Sequence, residues 1–183
     1  MRVSSVFERV FSRIYGKPCW QVRPGHGTFL TFEFGRPHLD VREPIAATKR
    51  ATTRVRARLA RRSVEVHGDW HLWIYCCAWE VFSRGKRVGD SSTKATVRRA
   101  AETLDGQKLT QFLISPRKVE CVFRFDLGGM LRTYPYDKES EQWLLYEPYH
   151  KVLVLRADGH YKRVRSDMPD VSGKWNRVSF PAR

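Results

Sequence analysis

An α+β architecture, a mostly antiparallel β-sheet in meander or sandwich form with two α-helices, is what this 183-residue sequence predicts. Three observations carry that expectation. Residues 63–82 form a run of large apolar and aromatic side chains that reads as a central strand. Short alternating segments follow one another with glycine-bearing turns between them. Only two stretches show a clear apolar stripe at helical spacing.

The first of those stretches is residues 4–15. Val6, Phe7, Val10, Phe11 and Ile14 share one stripe, Ser4 or Ser5 can cap its start, and Gly16 with Pro18 ends it. Such a stripe suits core packing, although Arg9 and Arg13 would also serve a helix lying on a partner or a membrane surface. Residues 19–23 read as a short strand and residues 24–27, Pro-Gly-His-Gly, as a turn. Residues 28–34 alternate, with Phe29, Thr31 and Glu33 on one face and Thr28, Leu30, Phe32 and Phe34 on the other. Gly35-Arg36-Pro37 is expected to turn the chain, so that residues 38–42 return as a separate strand.

Residues 44–62 break the pattern. They hold Lys49, Arg50, Arg54, Arg56, Arg58, Arg61 and Arg62, with no acidic residue from Pro44 through Val64. Arg54, Arg58 and Arg61 would share a helical face, whereas Arg54, Arg56 and Arg58 would share a strand face, so the two readings compete. Either way the segment is too polar for a core and is expected to be an exposed loop or edge element.

The aromatic run follows. Trp70, Leu72, Ile74, Cys76 and Ala78 would form one strand face and His71, Trp73, Tyr75, Cys77, Trp79 and Val81 the other; both are largely apolar, which predicts a strand covered on both sides. Residues 83–90 read as a polar turn. The second helix spans residues 93–104, capped by Ser91 or Ser92, with Val97, Ala100, Ala101 and Leu104 facing inward and Asp105-Gly106 closing it. Strands are expected at 109–114, 119–126, 130–134, 141–146 and 151–155. Asp126-Leu127-Gly128-Gly129 supplies a hairpin connection and residues 157–160 a second turn of the same chemistry. Residues 166–183 read as an irregular C-terminal tail that Trp175 and Phe180 can tether. The expected organisation is one domain over residues 1–165, carrying the exposed basic segment 44–62, followed by that tail.

A hydrophobic content of 42% is enough to build a core and excludes a disordered chain. No apolar run approaches the ~18 residues that cross a bilayer, and the N-terminal residues lack a signal-peptide apolar core. Cys19, Cys76, Cys77 and Cys121 show no CxxC spacing and read as free thiols in a reducing compartment, so a cytoplasmic location is expected. Thirty-four Lys and Arg against 19 Asp and Glu give a net charge of +15, which suits an acidic protein partner or a nucleic acid.

The seven cations of the basic segment are the expected partner-binding residues. Arginine forks suit carboxylates on a protein and phosphates on a nucleic acid alike. The aromatics of residues 70–79 would stack bases only if one sheet face were open. His67, His71, Cys76 and Cys77 lie close in sequence, and strand pairing that brought His26 or His38 beside His71 and Cys77 would create a zinc site, but the spacing matches no standard site and no metal or other cofactor is expected. Cys77, His71 and Asp69 can be sketched as nucleophile, base and orienting group. Six residues along one strand span ~20 Å, however, so no catalytic residue is assigned. A cleft gathering His71, Asp69 and a third polar group would reopen that question.

Leu104-Asp105-Gly106-Gln107-Lys108-Leu109, followed by Val122-Phe123-Arg124-Phe125-Asp126-Leu127-Gly128-Gly129-Met130-Leu131, resembles a pattern in small bacterial domains of unassigned function, some of them similar to immunity proteins of toxin systems. The resemblance covers residues 104–134 and brings no catalytic residue. It implies action by binding and blocking another protein. The expectation is therefore a non-enzymatic interaction protein that docks an acidic protein through residues 44–62. The alternative is a nucleic-acid-binding accessory protein using the same segment.

Overall fold

Residues 4–167 and 173–180 are described by the structure, a computed structural model. Their strands form two antiparallel sheets. The larger contains, in spatial order, β1 (Cys19–Pro24), β2 (Leu30–Arg42), β3 (Ser63–Ile74), β9 (Glu141–Glu147), β10 (Lys151–Arg156), β11 (His160–Arg165) and β12 (Asn176–Arg177). The smaller runs β5 (Lys86–Asp90), β4 (Cys77–Ser83), β8 (Gly129–Pro135), β7 (Cys121–Phe125) and β6 (Leu109–Ile114). The expected mostly antiparallel class is observed. Three helices accompany the sheets, α1 (Ser5–Phe11), α2 (Thr53–Leu59) and α3 (Lys94–Leu104), rather than two. The additional helix, α2, lies within the basic segment. Thr52 caps it by accepting the Val55 N–H, and the helix-favouring Arg, Ala and Leu decide between the two readings of that stretch.

The inner faces of the sheets meet in an aromatic core. Phe32 of β2 stacks over Phe125 of β7 at 6.2 Å, joining one sheet to the other. α1 wedges into this interface: Phe7 meets Phe112 of β6 and Trp143 of β9 edge-on at 5.4 and 5.6 Å, and Phe11 stacks on Phe112 at 4.4 Å. Phe7, Val10, Phe11 and Ile14 are buried, as the stripe predicts. α3 contacts β5 and β1. Its cap is Thr93, in a reciprocal box with Thr96, in place of Ser91 or Ser92.

Three strand assignments need correction. The aromatic run is not one strand. It breaks at Tyr75-Cys76, where β3 of the larger sheet passes into β4 of the smaller, and the Cys77 N–H turns back onto the Tyr75 carbonyl at 2.9 Å. Trp70, Leu72 and Ile74 are buried in β3, and Cys77, Trp79 and Val81 in β4, so the buried parity flips at the crossing. Each sheet thus buries one face of the run. The other face of β3 is only partly covered, with Trp73 half-buried. Second, Gly35-Arg36-Pro37 does not separate two strands. β2 continues through it as a bulge, spending Phe34 to Pro37 against Trp70 to Gly68 of β3, with Gly35 at φ +85°. Residues 86–90 also form β5 rather than a turn. Beyond residue 165 the chain is not wholly irregular: β12 pairs with β11, and Trp175 lies under the Arg156 guanidinium and the Lys162 ammonium at 4.5 and 4.7 Å. Pro169 and Pro181 lie outside the described residues.

Candidate functional site

β2 and β3 pair beyond the bulge as far as Arg42 and Ser63, and residues 43–62 join their ends. This hairpin arm carries the basic segment. The Ile45 N–H bonds the Leu59 carbonyl, and α2 buries none of its residues. Arg62 forms a forked pair with Glu43 at 2.8–3.0 Å, and Arg56 donates to the Lys49 carbonyl at 2.9 Å. Among the described residues, the side chains of Lys49, Arg50, Arg54, Arg58 and Arg61 have no acceptor.

The arm has two unlike faces. Leu39 and Val41 lie opposite Val66 and Val64, in the parity that farther along β3 faces the core. On the arm Leu39, Val41 and Val64 are exposed and Val66 is half-buried, so an apolar strip runs up to the Arg-rich helix. The opposite face pairs His38 with His67 and Asp40 with Glu65. It opens into a groove of about 760 Å³ over the outer surface of the larger sheet, lined among others by His67, Asp69, His71, Trp73, Tyr146 and His150.

At the foot of the arm the groove exposes the edges of two imidazoles held by one carboxylate. Glu33, almost wholly buried, directs Oε1 to the Nδ1 atoms of His71 at 2.7 Å and His67 at 3.2 Å, and its Oε2 accepts the Gly68 N–H at 2.9 Å. His67 and His71 are four residues apart, ~13 Å along a regular strand, yet their ring centroids lie 5.9 Å apart. The bulge accounts for this. It draws the Gly68 backbone so close to Phe34 that a Cβ at Gly68 would stand 2.4 Å from the Phe34 carbonyl oxygen, and His67 then leans toward Glu33. Burial pushes the Glu33 carboxyl up, but the bonds and charge from His71, with Gly68 and His67, outweigh it and hold the group below the usual carboxylate range. One carboxylate oxygen of Glu33 and one nitrogen of each histidine all lie within 4.8 Å of one another, a donor grouping that can hold a metal ion.

Other candidate residues are placed elsewhere. Cys77 is buried in the smaller sheet, donating to the Gln142 carbonyl, and is not beside His71. His38 faces His67 rather than His71. His71 and Asp69 do line one groove, but Glu33 orients His71, whereas Asp69 accepts the Arg36 N–H at 2.9 Å. Phe29, Trp73 and Tyr75 form a half-covered aromatic group on the outer face, while Trp79 is buried and donates to the Thr28 carbonyl. Glu147, at the groove, is occupied by both nitrogens of the Arg163 fork at 2.6 Å. The residue that sequence reading missed is Glu33. No protein-family model, curated protein or solved structure matches the chain.

Proposed function

We propose that the protein acts as an interaction module whose hairpin arm docks an acidic protein. The observation that supports this reading is the pairing of two features on one projection. Leu39, Ile45, Val41 and Val64 are 65, 61, 49 and 55% exposed, beside five cations that find no acceptor among the described residues. A contiguous exposed apolar strip next to unneutralised arginines fits an interface with an apolar centre and a charged rim. The cations speed encounter with an acidic surface, and the apolar strip holds the complex once formed.

A second reading, nucleic-acid binding through the same basic segment, adds the groove at the foot of the arm, where Trp73 and Tyr146 stand among histidines and Arg42. That mixture suits a stacked single strand with its phosphates nearby. Co-purification from the native host with nuclease treatment separates the two. Retention of a protein by the wild-type chain, lost in Arg54→Ala/Arg56→Ala/Arg58→Ala and in Leu39→Ser/Val64→Ser, is the expected result. Retention of nucleic acid alone overturns the docking proposal. In that case, binding of mixed-sequence RNA should fall with salt, and the triple variant should lower the log–log slope by about 2–3.

A further inference from the structure

We propose that Glu33, His67 and His71 bind a divalent transition-metal ion of the zinc class at the floor of the groove. Two imidazoles and one carboxylate are a donor set matched to zinc, cobalt and nickel rather than to calcium or magnesium, which favour oxygen ligands. The two histidines turn the same atom, Nδ1, toward the same carboxylate oxygen, Glu33 Oε1. A tetrahedral ion with bonds of about 2.0–2.1 Å sets its ligand atoms about 3.3 Å apart. The His67 Nδ1 to Glu33 Oε1 separation of 3.2 Å already meets that spacing, and the 2.7 Å separation from His71 must open by about half an ångström. Both imidazoles keep roughly a quarter of their surface exposed, so small side-chain rotations are open to them.

Two contacts outside the trio support this reading. Glu33 Oε2 accepts the Gly68 N–H, which fixes the carboxylate and leaves Oε1 to serve as a single-point ligand. His67 Nε2 lies 3.5 Å from Glu65 Oε2. A histidine bound through Nδ1 carries its proton on Nε2, and a carboxylate facing that proton is the usual outer partner of a metal-bound imidazole. Three protein ligands leave a fourth position, which faces the groove, where water or an oxygen of a bound partner can coordinate. The site does not depend on the arm's docking partner, so either proposal can fail alone.

The test is zinc titration of the chelator-treated full chain by calorimetry, with cobalt absorption as a second readout. One zinc per chain is expected, with visible cobalt bands of a four- or five-coordinate site. His67→Ala and His71→Ala should abolish both, and His160→Ala should change neither. Because loss of His71 leaves a buried carboxylate short of a partner, Glu65→Gln supplies a variant that should fold normally. Its melting temperature should be unchanged while zinc affinity falls about 10-fold. No saturable zinc uptake by the wild-type chain overturns the proposal. So does uptake that persists in both histidine variants, which would place the ion elsewhere.

Discussion

Gly68→Ala tests the local geometry on which the histidine–glutamate cluster depends. The added methyl would stand 2.4 Å from the Phe34 carbonyl oxygen and 2.9 Å from its nitrogen. Both are backbone atoms of a paired strand, so no flexible side-chain end can give way. Forcing a methyl into filled space costs about 1–3 kcal/mol. The movement that relieves it also stretches the 2.9 Å bond from the Gly68 N–H to the Glu33 carboxylate. A bond to a charged group contributes about 1.5–3 kcal/mol, so the combined loss is about 4 kcal/mol. At about 2–4 °C per kcal/mol for a chain of this size, the melting temperature should fall by about 8–16 °C. Urea denaturation followed by circular dichroism gives the free energy directly. Gly16→Ala is the comparison: its φ is +76° with nothing within 4 Å of the new Cβ. It suffers only left-handed strain, about 1–2 kcal/mol. If Gly68→Ala proves no more destabilising than Gly16→Ala, the close approach at the bulge does not exist as described.

The Glu33 carboxyl titrates below its unfolded value, so as pH falls the unfolded chain takes up the proton first. Its contribution to stability is complete above the ordinary carboxylate range and disappears as pH drops through the lowered folded value. Glu33→Gln should therefore flatten the acid limb of a stability–pH curve while lowering stability at neutral pH. Trp143→Ala removes a fully buried indole that meets Phe7, Phe11, Phe112 and Phe123, and should cost about 3–5 kcal/mol in chemical denaturation. Burial pushes the Cys19 and Cys121 thiols up to about 12 and raises Cys77 as well, and all three are inaccessible. At pH 8 a thiol reagent should label at most Cys76 rapidly in the native chain, and all four cysteines after unfolding, as mass spectrometry would count.

The elements that local sequence predicts well are those whose signal is local. α1 and α3 carry their apolar stripes within a few turns, and Asp126 to Gly129 holds its turn chemistry in four residues. The break at Tyr75-Cys76 is different, because an unbroken run of aromatics does not announce a change of sheet. Its trace was nevertheless present: apolar residues on both parities of 70–81 are what a strand produces when its buried face switches at a crossing. Gly35-Arg36-Pro37 misled for a related reason, since a bulge and a turn draw on the same residues, and only the partner strand decides between them. The cluster at Glu33 lay further out of reach. The alternation placed Glu33 on the less apolar face of its segment, but bringing His67 and His71 to it required the register of β2 against β3 and the shift at the bulge, neither of which is a property of one segment. The basic segment's exposure was legible from its composition. That it crowns a projecting hairpin with an apolar flank was not, because Leu39, Val41 and Val64 look like ordinary core-facing strand residues until the opposing sheet is seen to stop short of them.

The wedge formed by α1 sets a timing problem for biosynthesis. Phe7 and Phe11 leave the ribosome more than a hundred residues before Phe112 and Trp143, the rings that receive them. Until then the apolar face of α1 has nowhere native to go. A nascent chain halted before Trp143 should therefore be held by chaperones through the exposed stripe of Phe7, Val10, Phe11 and Ile14, and release should coincide with the arrival of the ninth strand.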